Sequence, residues 1–118
     1  MIAIPGTHPK GAGMDTILDF GALFKQLAET GESQYHAVSG GIDVRLVRVE
    51  GGGAGRWDRH DDTPETVVVW SGAFDVAFRG HVLSLGAGQG CVVPTGAEHK
   101  GTSPAGAEVI LFKSAPTS

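Results

Sequence analysis

From Gly31 onward, short apolar runs and turn residues follow one another too closely for anything but strands. Ile42, Val44 and Leu46 alternate with Asp43 and Arg45 and so share one face of a strand. Val47 and Val49 continue on the opposite parity, so a bulge or burial on both faces is expected. Gly51-Gly52-Gly53 ends that run. Arg56 to His60 reads as a short polar strand, and Asp61 to Pro64 as a turn. Thr66 to Trp70 is apolar and β-branched, Ser71-Gly72 reads as a turn, and Phe74, Val76 and Phe78 alternate after it. Arg79-Gly80-His81 turns again before Val82 to Leu85. A loop over Gly86 to Gly90, a strand over Cys91 to Val93 and a turn over Pro94 to Gly96 follow. Glu108 to Lys113 is the last strand. The sum is about seven to nine short strands at close spacing, the signature of a barrel or sandwich. No helix separates them, which excludes a doubly wound α/β sheet. Val67-Val68-Val69-Trp70 is apolar on both faces. One face must fill the interior, and the other needs a helix, a second sheet or a partner subunit over it.

The N-terminal part differs. Met1 to Gly13 has no periodicity and reads as a loose arm, with Met14 as an alternative start. Ile17, Leu18, Phe20, Leu23, Phe24 and Leu27 have helical spacing, which predicts one amphipathic helix over Asp15–Thr30, capped by Asp15 and stopped by Gly31. The expected organisation is an arm over 1–14 and a single domain over 15–118. Hydrophobic residues make up 41% of the 118, enough for a core at this size.

The formal charge is −4, and Lys and Arg form no cluster, so no nucleic-acid partner is expected. No apolar run approaches the ~20 residues that span a bilayer, so no membrane role is expected. No signal peptide is visible and the one cysteine, Cys91, has no internal partner, so the expected compartment is the cytoplasm.

The chemistry concentrates between positions 58 and 99. Asp58 and His60 are two apart on the polar strand and share a face. Glu65 follows the turn at Asp61 to Pro64, where parity resets, so it can face the same space. His99 follows the turn at Pro94 to Gly96. Two imidazoles and one or two carboxylates can thus converge as a site for Fe, Mn, Ni or Zn.

These residues resemble the cupin superfamily. Gly52, five residues, Asp58-Arg59-His60, four residues, Glu65, six residues and Gly72 match the spacing of the first cupin motif. Gly88, Pro94, Gly96 and His99 match the second, with Ser103 where that motif has Asn. Positions 73 to 87 between the motifs suit one hairpin. The resemblance implies an all-β, double-stranded β-helix (jelly-roll) barrel, a homodimer, and a small-molecule ligand or substrate inside the barrel. It also implies a divalent transition metal held by Asp58, His60, Glu65 and His99, with Asp58 in place of the motif's first His. Without Asp58, His60, Glu65 and His99 still form a two-His, one-carboxylate set, a type that holds Fe(II) with open positions.

Three functions stay open at this point. The first is a metal-dependent enzyme on a small organic molecule, an oxygenase, isomerase or similar, with Asp58 as fourth ligand or catalytic base. The second is a metal-free module that binds or senses a small ligand. The third is a metal-free isomerase or epimerase using an Asp–His pair. Other residues read as structural. His36 fits surface or core packing, His8 lies in the arm and His81 in a hairpin turn. Cys91 reads as a buried, inert thiol. Trp57 should face away from Asp58. Phe74, Val76 and Phe78 read as barrel lining near the cavity.

Overall fold

The computed structural model describes residues 17–115. The expected arm over 1–14, the alternative start at Met14 and the expected cap at Asp15 lie outside these residues.

The helix α1 (Phe20–Thr30) is shorter than the apolar spacing suggests. Its cap is Asp19, whose carboxylate accepts the Ala22 N–H at 3.1 Å. Such a cap satisfies one of the orphan donors of the first turn and contributes about 1 kcal/mol. Ile17 and Leu18 therefore precede the helix. At the other end Gly31 takes φ +79° and donates to the Leu27 carbonyl at 2.9 Å, the stop expected there.

Seven antiparallel strands follow: β1 (Gln34–Ser39), β2 (Ile42–Val49), β3 (Glu65–Phe78), β4 (Val82–Gly86), β5 (Gly90–Val93), β6 (His99–Thr102) and β7 (Ala107–Ser114). β1 turns into β2 through Gly40 and Gly41, both with positive φ, as a two-residue hairpin requires. β2 pairs with β7 without interruption from Ile42↔Ser114 to Val49↔Ala107. The parity change at Val47 is thus burial on both faces and not a bulge.

β3 organises the barrel. Its first half lies between β7 and β5, and its second half between β4 and β6. The expected turn at Ser71-Gly72 is instead a bulge inside one 14-residue strand. Val69 pairs with Val109 and Ser71 with Glu108, which leaves Trp70 as the extra residue. One inserted residue moves the inward positions from Val67 and Val69 to Phe74 and Val76, all of them buried. Gly72 bears the distortion at φ +81°, and a Cβ there would strike the Gly106 carbonyl oxygen. The two sheets share β3 and close on one interior, the jelly-roll barrel expected from the sequence.

There are two apolar cores. Val67, Val69, Phe74, Val76, Val93, Ala107 and Val109 fill the barrel. Leu23, Phe24 and Leu27 of α1 cover Val44, Leu46 and Ile110 on the outer face of β2 and β7. The helix also reaches the outer face of β3, where Phe20 meets Trp70 edge-on and Phe24 stacks on it. Coverage ends there, since Trp70 is still 45% and Val92 on β5 57% exposed.

Candidate metal centre

Backbone hydrogen bonds set the two motifs against each other. Asp58 and His99 exchange N–H···O bonds in both directions at 2.9 Å, and the Gly96 N–H donates to the His60 carbonyl at 2.7 Å. The expected strand over Arg56 to His60 is only this isolated bridge at Asp58. Locally, the Asp58 carboxylate accepts the Arg59 N–H at 2.8 Å, a side-chain bond that competes with regular pairing. Past the turn, Glu65 opens β3 and pairs with Val93. His99 opens β6 and pairs with Phe78. The glycines at all four motif positions, Gly52, Gly72, Gly88 and Gly96, have φ near +80°. Their spacing records backbone geometry rather than contact with a ligand.

His60, Glu65 and His99 converge, each offering one ligand atom within 4.8 Å of the others. The two imidazole centroids are 5.2 Å apart, and His60 Nε2 lies 3.6 Å from Glu65 Oε1. Glu65 and His99 are buried, and His60 is half-buried. His99 Nδ1 lies 3.0 Å from the Ala97 carbonyl oxygen. That oxygen can only accept, so Nδ1 is the donor, and in the neutral ring the Nε2 lone pair is then free for a metal. A carbonyl behind the ring is the usual support of a ligating histidine. The donor chemistry, two imidazole nitrogens and one carboxylate within 4.8 Å of one another, fits a divalent transition metal.

Asp58 stands outside this group of three. It lines the same cavity, as its shared face with His60 predicts, but it is exposed and its Oδ1 is turned to the Arg59 N–H. Among the described residues no side-chain hydrogen bond joins the Asp58 carboxylate to either imidazole. Ser103, at the motif's Asn position, is structural. Its buried hydroxyl donates to the Ala73 carbonyl at 2.6 Å and accepts the Gly106 N–H at 3.0 Å. Trp57 faces away, beneath the Arg79 guanidinium at 3.7 Å.

The cavity holds about 230 Å³. Val67, Phe74, Val76 and Leu111 form its apolar side. Two further side chains on its wall, Arg45 and Arg56, escaped the sequence reading. For Arg45 a signal was present: it shares the parity of Val47 and Val49, the second buried face of β2. A larger concavity of about 430 Å³ lies between the end of α1 and Gly106, lined by Glu32, Arg48, Glu50 and Glu108. Among the described residues no metal-ligating trio converges there, so its size does not make it the better site. No described helix is long and apolar enough to cross a membrane.

Known proteins place the chain directly. The family model for the cupin domain matches residues 45–112, more than half of the sequence. No protein of curated function matches by sequence. Among solved structures, a cupin-2 domain protein from Shewanella frigidimarina is 26% identical, with a TM-score of 0.67, covering 79% of this chain and 92% of that one. Protein NMB1881 from Neisseria meningitidis is 22% identical, with a TM-score of 0.69, covering 79% and 96%. KdgF from Halomonas is 22% identical, with a TM-score of 0.60, covering 70% and 78%. With both motifs in register, the barrel built and the family model matched over its core, the chain belongs to the cupin domain family.

Proposed function

We propose that the protein holds one divalent transition metal on His60, Glu65 and His99 and that it binds and acts on a small organic molecule in the barrel. The observation that carries this reading is the convergence of three ligand atoms within 4.8 Å, with the His99 ring held from behind at Nδ1 by the Ala97 carbonyl. A metal so held supplies Lewis-acid polarisation of a substrate oxygen and a more acidic bound water. The chain supplies the rest. Val67, Phe74, Val76 and Leu111 exclude water from one side of the cavity. Asp58 is exposed at the rim and outside the ligand trio, so we assign it to proton transfer with the substrate rather than to coordination.

Elemental analysis of freshly purified, tag-free protein tests the reading. We expect about one transition metal per chain in the wild type and none in a His60→Ala, His99→Ala variant. Metal addition is expected to raise the melting temperature of the wild type alone, since a ligand of the folded state stabilises it. If the wild type stays metal-free after reconstitution with Fe, Mn, Ni and Zn in turn, the proposal fails.

A further inference from the structure

The two arginines in the cavity remain unexplained by a metal site. Arg45 projects from β2 beside Leu111 of β7, its register partner, and is half-buried. Arg56 stands at the exposed rim of the same cavity. Among the described residues neither makes an ion pair, although four other pairs join basic and acidic side chains of this domain. A guanidinium withdrawn from water is costly unless a carboxylate or equivalent acceptor meets it.

The charges of the cavity say what kind of acceptor fits it. Arg45 and Arg56 contribute two positive charges, and Asp58 and Glu65 contribute two negative ones, so the cavity is formally neutral with neutral histidines. The divalent ion of the preceding reading would leave it at +2. Such a cavity favours an anion. Its apolar side, Val67, Phe74, Val76 and Leu111, favours a hydrocarbon portion on that anion. Its volume, about 230 Å³, lies below the ~300–1,000 Å³ of pockets for drug-sized ligands, so the molecule is small.

We propose that the cavity binds a small organic carboxylate, received by the Arg45 guanidinium with Arg56 drawing it in at the rim, its apolar portion against Phe74 and Leu111. The planar fork of Arg45 matches the two oxygens of a carboxylate and discriminates against an uncharged amide of the same shape. This names the substrate class of the site and rests on the metal reading only for the extra positive charge. The arginines are present with or without the ion.

Calorimetric titration with butanoate, butanamide and butyl phosphate tests the proposal, using wild type, Arg45→Gln and Arg56→Gln, each metal-free and zinc-loaded. Metal content and melting temperature are read alongside. In the wild type, butanoate is expected to bind at least tenfold more tightly than butanamide, more tightly still with zinc. Arg45→Gln should remove most of that preference while zinc content is unchanged. Arg56→Gln, at the exposed rim, should weaken butanoate a few-fold, with an effect that shrinks as salt is raised. If Arg45→Gln folds poorly, the amide comparison in the wild type and the Arg56→Gln arm still decide. Equal binding of butanoate and butanamide, or an Arg45→Gln protein that keeps the wild-type preference, overturns the proposal. So does a stronger preference for butyl phosphate, which would assign the arginines to a phosphate ester. The two readings fail separately. A protein that never takes up zinc but prefers butanoate through Arg45 sinks the metal reading alone, whereas a zinc-loaded protein indifferent to charge sinks this one alone.

Discussion

The two faces of β2 and β7 are built from alternate residues of the same strands and serve different ends. On the outer face Val44, Leu46 and Ile110 are sealed beneath α1, and Leu46 is 0% exposed. On the inner face, one residue along, Arg45 and Leu111 border a cavity with ligating side chains in it. Neighbours in sequence thus divide between holding the fold and shaping the site. A strand's period of two makes that division possible, and a single-residue slip would exchange the two roles.

Substitutions at adjacent residues separate the two faces. Leu46→Ala removes a fully buried side chain between helix and sheet, where the surroundings relax only in part. A loss of about 3 kcal/mol is expected in urea unfolding. Arg45→Leu should change stability by about 1 kcal/mol or less, since it removes a half-buried charge with no ion-pair partner among the described residues. Zinc uptake should survive in whatever folds of both. Equal destabilisation by the two changes would show that the faces are not separable.

A comparable division runs along β3, and Gly72 is its hinge. Gly72→Ala places a side chain at φ +81° and against the Gly106 carbonyl oxygen, so both strain and a clash with backbone arise. A loss of about 2 kcal/mol is expected. It should be accompanied by weaker metal uptake, because β3 carries Glu65 at its start and pairs with His99 near its end. A variant as stable as the wild type would mean that the bulge is not what sets the inward parity of Phe74 and Val76.

What was legible in the sequence follows the same physics. Strand number and barrel class were readable because period-two alternation and turn residues are strictly local signals. That His60, Glu65 and His99 come together was legible through the spacing of the cupin motifs, whose glycines take positive φ here. β1 was not, because Gln34-Tyr35-His36-Ala37-Val38-Ser39 is largely exposed and has no apolar stripe. Its one local mark was Gly40-Gly41, a hairpin pair. The bulge at Trp70 was misread as a turn because Ser-Gly serves both. The distinguishing sign lay farther off, in the switch from odd inward positions at Val67 and Val69 to even ones at Phe74 and Val76. The helix start was misplaced because apolar spacing at Ile17 and Leu18 outvoted the second aspartate, Asp19, which caps.

On β5, Cys91 and Val92 again point to opposite faces. Val92 is exposed on the outer face, whereas Cys91 packs half-buried against the barrel core. Burial pushes the Cys91 thiol above its ordinary value, because removing water disfavours the thiolate. At any fixed pH the thiolate fraction is smaller than that of a free cysteine, and the rise of alkylation with pH is displaced upward. Iodoacetamide at pH 8 should therefore modify the folded protein several-fold more slowly than a small-molecule thiol, and urea-unfolded protein at the ordinary rate. If folded Cys91 reacts as fast as the free thiol, then β5 opens to solvent at the rim of the barrel, and the division between inner and outer faces stops short of this strand.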